Sequence, residues 1–172
     1  MFTIRNQTAA DHQAVEHLLD LSFGPARKGK SAYGLRQGLT PVSGLELAAE
    51  ADGILVGSIQ FWPLHFTLTK GAETGNGVLL LGPLAVHPDR QNLGIGKALI
   101  EEGLSRAKAT GYCGAILVGD PAYYGRFGFD HDCVAGLFLP AEADQKRVQG
   151  RELVPGALSG LTGEIISPDT NR

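Results

Sequence analysis

The sequence predicts an α/β fold with a mixed sheet, and three observations carry this prediction. A buried apolar strand over 78–86 is followed by a glycine-bearing turn and by a helix that Gly111 stops. The helix leads into a second apolar run over 113–118, so the two strands should lie parallel. Upstream, two strands meet at Asp52-Gly53, a strong signal for an antiparallel hairpin. A chain of 172 residues is expected to form one domain over 1–172.

The first predicted elements are a short strand over 2–5 and a helix that Thr8 or Asp11 can cap. The helix has apolar positions at Ala14, Val15, Leu18, Leu19 and Phe23. Gly24-Pro25 ends it, and a basic loop over 24–44 follows, with a short helix expected at 31–37. The hairpin strands are predicted over 45–51 and 54–69, and Pro63 indicates an edge or a bend in the second.

The second half of the chain gives weaker signals after 118. Asp120 can cap a short helix that has Pro121 in its first turn. A strand is predicted over 134–139, and a returning strand over 151–154. Residues 158–166 predict either a final strand or a tail packed on the core.

Composition excludes several classes of protein. Apolar residues make up 43 % of the chain, so disorder is not expected. The net charge of −3 argues against a nucleic-acid-binding surface. Cys113 and Cys133 match neither a disulfide framework nor a zinc site, so we expect free thiols and no metal. No signal peptide or membrane span is evident, and a cytoplasmic location without a membrane partner is the simplest expectation.

The turn after the strand over 78–86 has the chemistry of an anion-binding site. A helix start leaves several backbone N–H groups unpaired and carries about half a positive charge. Gly94 and Gly96 lack side chains, so phosphates can approach the backbone closely. A tight turn without a ligand is the alternative interpretation of two glycines alone.

Two common phosphate-binding motifs are absent from this turn. A P-loop requires glycine five residues before its Gly-Lys pair and serine or threonine after it, but Gln91 and Ala98 occupy those positions. The dinucleotide fingerprint requires a third glycine where this chain has Leu99. An unrelated nucleotide-binding domain is therefore disfavoured.

Two other motifs carry a resemblance to a known family. Q/R-x-x-G-x-G/A is present as Gln91 to Gly96, directly after LAVHPD, and Y-x-x-x-G-F is present as Tyr124 to Phe129. Together they resemble the GNAT superfamily of N-acetyltransferases, and within it the YhbS-like group of predicted bacterial acetyltransferases. The resemblance covers residues 2 to about 139.

This resemblance implies an acyl-CoA N-acyltransferase fold, with a central, mostly antiparallel sheet, a splayed parallel strand pair and flanking helices. The pantetheine arm of acetyl-CoA would lie in the splayed gap. Gly82-Pro83 interrupts the strand over 78–86 and predicts a bulge or a splayed end there, although it could also merely bend a core strand. The implied cofactor-binding residues are Leu84, Ala85, Val86, Gln91, Asn92, Leu93, Gly94, Ile95, Gly96 and Lys97. Arg90 or Lys97 would add charge beside the pyrophosphate.

The resemblance also implies that Tyr124 faces the sulfur of acetyl-CoA. A tyrosine keeps its proton at neutral pH and can give it to a departing thiolate, so Tyr124 is the candidate general acid. Tyr123 is the second choice, and a core or substrate-stacking role is the alternative for Tyr124. No general base is evident in the sequence. The candidates are Glu73, His65, His87 and Asp120, and each also suits an ordinary structural role.

The sequence thus predicts an acetyl-CoA-dependent N-acetyltransferase that acts by direct attack of a primary amine in a ternary complex. The amine could belong to a small molecule or to a protein. The resemblance implies that the loop over 24–44 helps to select it, and an ordinary solvated basic loop is the alternative. The alternative is a non-catalytic acyl-CoA-binding sensor or assembly domain, which the missing base favours. Such folds often form homodimers, but no sequence feature indicates one here.

Overall fold

The computed structural model describes residues 1–168, apart from the side chains of Glu73 and Thr74. Its strands are β1 Thr3–Asn6, β2 Glu46–Ala51, β3 Ile54–Pro63, β4 His65–Lys70, β5 Val78–Val86, β6 Gly114–Val118, β7 Leu137–Phe138, β8 Val148–Glu152 and β9 Thr162–Ile166. Its helices are α1 His12–Phe23, α2 Ser31–Gly34, α3 Ala72–Gly75, α4 Ile95–Ala109 and α5 Pro121–Tyr124.

A six-stranded sheet in the order β1-β2-β3-β5-β6-β8 forms the centre of the fold. Its neighbours are antiparallel except for β5 and β6, which run parallel because α4 connects them. Asp52 and Gly53 both have positive φ in the turn between β2 and β3, as a tight hairpin turn requires. The predicted mixed, mostly antiparallel sheet with one parallel pair is confirmed.

The parallel pair separates along its length. Residues 78–80 of β5 pair with residues 114–116 of β6, and no pairing between the two strands follows among the described residues. On its other side β5 has a bulge, because Ile59 of β3 faces Leu84 whereas Phe61 faces Leu81. The bulge and the splayed end expected at Gly82-Pro83 are therefore both present.

A second sheet, in the order β4-β9-β7, was not expected from the sequence. The bend expected at Pro63 is present, but the prediction of one strand over 54–69 is wrong, because the chain enters the second sheet as β4 after this bend. The predicted strand over 134–139 is reduced to β7, and the returning strand begins at Val148, earlier than expected. Of the two alternatives for 158–166, the final strand is correct, since β9 pairs with both β4 and β7.

Two helices cover opposite faces of the central sheet beside the splayed end of β5. Leu84 packs in one buried cluster with Leu99 of α4, whereas Ala85 packs in another with Leu18 of α1. Successive strand residues point to opposite faces, so α1 and α4 lie on opposite sides of β5. The gap between β5 and β6 therefore opens between the end of α1 and the start of α4.

Candidate active site

The turn before α4 has the conformation that its glycine pattern predicts. Asn92 and Gly94 have φ of 64° and 82°, in the left-handed region, and α4 begins directly after Gly94. The N–H of Ala98 donates to the Gly94 carbonyl at 3.0 Å and closes the first helical turn. The N–H groups over 95–97 precede this bond, at positions where a helix leaves its donors unpaired. The turn thus presents backbone donors and a partial positive charge.

A groove of about 780 Å³ lies along this turn and the splayed edge of β5, and we call it the β5–α4 groove. It is lined by Ser22, Phe23, Leu84, Ala85, Val86, Arg90, Gln91, Asn92, Gly94, Ile95, Gly96, Lys97, Tyr123, Tyr124, Arg126 and Phe127. Nine of the ten cofactor-binding residues predicted from the sequence are therefore brought together. Leu93 is the exception, because it is 60 % exposed and does not line the groove.

Sequence patterns did not indicate four of these lining residues. Phe23 was expected in the core at the end of α1, yet it is 40 % exposed and lines the groove beside Ser22. Arg126 stacks over the rings of Tyr123 and Phe127 at 4.8 and 5.5 Å. The FGF segment gave no signal beyond the tyrosine spacing, because the sequence does not show which of its side chains face the groove.

Tyr124 lies where the β5–α4 groove meets a second cavity of about 420 Å³, which we call the central cavity. Its ring packs on the backbone of Gly119, where a Cβ would lie 2.5 Å from Cε2. Its hydroxyl has no hydrogen-bond partner among the described residues, and burial raises the pKa of Tyr124 above its usual value. The hydroxyl therefore keeps its proton over the whole physiological range of pH.

The central cavity continues from Tyr124 toward the loop over 24–44. It is lined by Phe23, Arg27, Lys30, Ala32, Tyr33, Arg36, Leu80, Leu81, Gly82, Pro83, Leu84, Leu117, Val118, Gly119, Asp120, Tyr123, Tyr124 and Arg147. A third cavity of about 670 Å³, the loop cavity, shares Arg27, Tyr33, Arg36 and Pro83 with it. The loop cavity also has Glu46, Gln60 and Trp62 in its wall. The three spaces are thus contiguous through common walls.

The four candidate bases are not equivalent in the structure. Asp120 lines the central cavity, but it is exposed and its carboxylate accepts the N–H of Ala122 at 3.0 Å as a helix cap. His87 accepts the N–H of Asp89 at 3.2 Å, and His65 lies on β4 in the second sheet. The Glu73 side chain lies outside the described residues.

Two carboxylates that the sequence did not suggest line the loop cavity. Glu16 forms an ion pair with Arg27 at 2.5 Å, so its charge is already compensated. Glu46 stands on β2 directly opposite Gln60 of β3. Its position follows from the register of the hairpin, which sequence spacing alone does not fix.

Two further observations concern metal groups and membrane-spanning helices. Within residues 1–168 no group of three or more histidine, cysteine or acidic side chains is arranged to hold a metal ion. None of the helices over the same residues combines the length and the apolar character needed to cross a bilayer.

A splayed parallel strand pair, a glycine turn that opens a helix at the split, and a half-buried tyrosine at the junction are the features of an acyl-CoA-dependent transferase fold. The sequence profile of the Acetyltransferase (GNAT) family matches residues 12–129, and the chain belongs to this family of acetyltransferases. Over 162 residues it is 29 % identical to the uncharacterized N-acetyltransferase YhbS of Escherichia coli K12, covering 94 % of this chain and 93 % of that protein.

Two solved structures are also similar over their whole length. The E. coli YhbS structure in complex with CoA superposes with a TM-score of 0.80 at 27 % identity, covering 99 % of this chain and 92 % of that one. A GNAT family acetyltransferase from Brucella melitensis in complex with acetyl-CoA superposes with a TM-score of 0.69 at 28 % identity, covering 100 % and 99 %. These matches confirm the family and the fold that the two sequence motifs indicated.

Proposed function

We propose that this chain is an acetyl-CoA-dependent N-acetyltransferase that transfers the acetyl group to a primary amine by direct attack in a ternary complex. One observation carries the proposal: Tyr124 lies between a groove suited to the cofactor and a separate cavity suited to an acceptor. Similar proteins bound to CoA and to acetyl-CoA support the choice of cofactor. We place the chain in the cytoplasm, because Cys113 and Cys133 do not form a disulfide, which suits a reducing compartment.

Acetyl-CoA would bind mainly through the backbone. The N–H groups over 92–97 would receive the pyrophosphate, and Lys97 or Arg90 would add positive charge. The pantetheine arm would lie along the unpaired edge of β5 and bond with the backbone of Leu84, Ala85 and Val86, like an added strand. This mode needs few specific side chains, which explains why Gln91 and Asn92 can be exposed.

The chemistry then requires a neutral amine and a protonated leaving group. The amine nitrogen would form a bond to the thioester carbonyl carbon, and the carbon–sulfur bond would break. A backbone N–H of β5 would stabilise the developing oxyanion. Tyr124 would give its proton to the departing thiolate, and Asp120 or Glu46 would take the proton that the amine loses, directly or through water.

A second candidate function is acyl-CoA binding without turnover. The capping role of Asp120 favours it, because a carboxylate that satisfies a helix start is a poor base. In that case the chain would bind the cofactor in the same groove but release no thiol in the presence of any amine.

The test combines binding with turnover. Thermal shift is measured with coenzyme A, ATP and NAD, and only coenzyme A should stabilise the protein at micromolar concentration. Free thiol release from acetyl-CoA is then followed with a panel of primary amines. Stabilisation by ATP or NAD but not by coenzyme A would refute both functions, whereas binding of coenzyme A without thiol release would favour the second.

A further inference from the structure

Arg36 stands in the wall that the loop cavity shares with the central cavity. Its guanidinium lies over the ring of Tyr33 at 5.1 Å and over the ring of Trp62 at 5.5 Å. Within the described residues none of its nitrogens has a hydrogen-bond acceptor, and Nε is fully buried. The side chain is therefore held by two aromatic rings and not by a counter-ion.

A second arginine in the same wall shows the contrast. Arg27 is paired with Glu16 at 2.5 Å and with Asp20 at 3.1 Å, so two carboxylates compensate its charge. Burial lowers the pKa of Arg36 from its usual value, but arginine stays protonated at neutral pH because that value lies above about 12. Arg36 thus brings to the cavity wall a positive charge that no salt bridge among the described residues neutralises.

A second orphaned donor lies beside this charge. The Nε1–H of Trp62 is buried and has no acceptor among the described residues. Buried donors without acceptors are costly and uncommon, so two on one wall indicate a partner that supplies oxygen atoms. Glu46 also lines the loop cavity, but it forms no ion pair with Arg36 among the described residues.

We propose that the acceptor is a primary amine that also carries an oxyanion, above all a carboxylate, and that Arg36 binds this oxyanion. The inference rests on the proposed function, because it uses Tyr124 to define where the amine must lie. The central cavity is bounded by Arg36 and Tyr124 together, so one short molecule could reach both. An aromatic-stacked guanidinium is well suited to a carboxylate, which it can bind through two parallel hydrogen bonds.

Trp62 makes the inference testable without relying on turnover, because it is the one tryptophan in the chain. Its fluorescence is followed while straight-chain ω-amino acids of increasing length are titrated into the protein saturated with coenzyme A. Each is compared with its own amide, which has the same chain and amine but no charge at the far end. Aminoalkyl phosphonates form a third series, which distinguishes carboxylate from phosphate chemistry.

We expect a saturable fluorescence change for the amino acids, with Kd roughly tenfold to a hundredfold lower than for the matched amides. Arg36→Met should abolish this difference, Arg36→Lys should retain part of it, and Lys108→Met, which removes an exposed charge on α4, should leave it unchanged. Tighter binding of the phosphonates would retain the inference and assign phosphate as the preferred oxyanion.

Equal affinity for the amino acids and their amides would overturn the inference, and so would the absence of a saturable fluorescence change in every series. Both outcomes can be measured on the unaltered protein, so the test does not depend on whether an Arg36 variant folds. Thiol release from acetyl-CoA, measured in separate reactions with the same amines and no added coenzyme A, reports on the proposed function. If thiol is released but acids and amides bind equally well, the role of Arg36 is refuted and the proposed function stands. If acids bind more tightly than amides but no thiol is released, the role of Arg36 stands and the transferase function is refuted.

Discussion

A Cβ atom on residue 96 would lie 2.5 Å from the hydroxyl oxygen of Tyr123. Real Cβ atoms essentially never come within 3.0 Å of another heavy atom, so Gly96 is required wherever Tyr123 keeps this position. The contact joins α5 to the first turn of α4, at the point where the pyrophosphate of the cofactor is proposed to bind. Gly96 is therefore needed for packing as well as for access to the backbone.

Gly96→Ala should lower the free energy of unfolding by about 1 to 3 kcal/mol and weaken coenzyme A binding, because the new methyl group displaces Tyr123. In the Tyr123→Phe background the nearest ring carbon lies 3.9 Å from the new Cβ, which is an ordinary contact. In this background Gly96→Ala should lower the free energy of unfolding much less. Urea unfolding of the four proteins in this double-mutant cycle measures the difference, and an equal cost in both backgrounds would contradict the packing argument.

Gly94 is required for a different reason. A Cβ there would meet no atom within 4 Å, but φ is 82° in the left-handed region. Gly94→Ala should cost about 1 to 2 kcal/mol through backbone strain, whereas Gly94→Asn should cost less because asparagine tolerates this conformation. Chemical unfolding of both variants provides the comparison. If alanine and asparagine cost the same, backbone strain is not what selects glycine at this position.

Tyr124→Phe should lower kcat by roughly a hundredfold or more if the hydroxyl protonates the thiolate. The fold should be unaffected, because this hydroxyl has no hydrogen-bond partner to lose among the described residues. Tyr123→Phe is the matched control and should leave kcat nearly unchanged. Steady-state kinetics with saturating acetyl-CoA decides the matter, and equal kcat values for Tyr124→Phe and the unaltered enzyme would rule out the acid role.

The pH dependence has a definite sign. Burial raises the pKa of Tyr124, so the acid remains protonated above the usual tyrosine value of about 10. The acceptor amine becomes more reactive as it loses its proton. We therefore expect kcat/KM to rise with pH and not to decline before pH of about 10. A decline that begins near pH of about 8 and disappears in Tyr124→Phe would mean that the tyrosine ionises earlier than its burial implies.

Asp11 is expected to make stability depend on acid pH. Arg5 donates to both of its carboxylate oxygens, at 2.7 and 2.9 Å, and these hydrogen bonds hold the pKa of Asp11 far below its usual value. A depressed pKa gives stability that is present above about pH 4 and is lost as the pH falls below it. Asp11→Asn should cost about 1 to 2 kcal/mol at pH 7, a modest figure because the Arg5 side chain is 38 % exposed.

Thermal unfolding of both proteins between about pH 7 and pH 2 checks this expectation. The difference between them should shrink as the pH falls, because the unaltered protein then loses the same interaction. A difference that stays constant over this range would assign the effect to the helix cap and not to the charge.

Local patterns were sufficient for the elements that carry the proposed cofactor site. The strand Val78–Val86 has the predicted bounds, and the glycine turn and α4 follow as expected, because strand and helix periodicity are properties of neighbouring residues. The second sheet was missed because its pairing joins His65 to Ile166, more than half the chain apart. No local signal encodes such a register.

The loop cavity was missed for the same physical reason. Its wall brings Arg36, on the loop after α2, against Trp62 near the end of β3. The basic loop over 24–44 was expected to contact the acceptor only through family resemblance. Packing decides that Arg27 forms salt bridges and that Arg36 forms none among the described residues. Residue spacing does not determine this difference.

The central cavity has a consequence for the range of donors. It adjoins the β5–α4 groove at Leu84 and Tyr124 and the loop cavity at Arg36. The acyl group of the donor and the acceptor amine would therefore share one cavity of about 420 Å³. An acyl group longer than acetyl would enter this volume and leave less room for the amine. Propionyl- and butyryl-CoA should therefore react with short amines and react progressively more slowly with long ones. Rates of thiol release for every combination of acyl length and amine length would show this, because the longest amine that reacts should become shorter as the acyl group becomes longer.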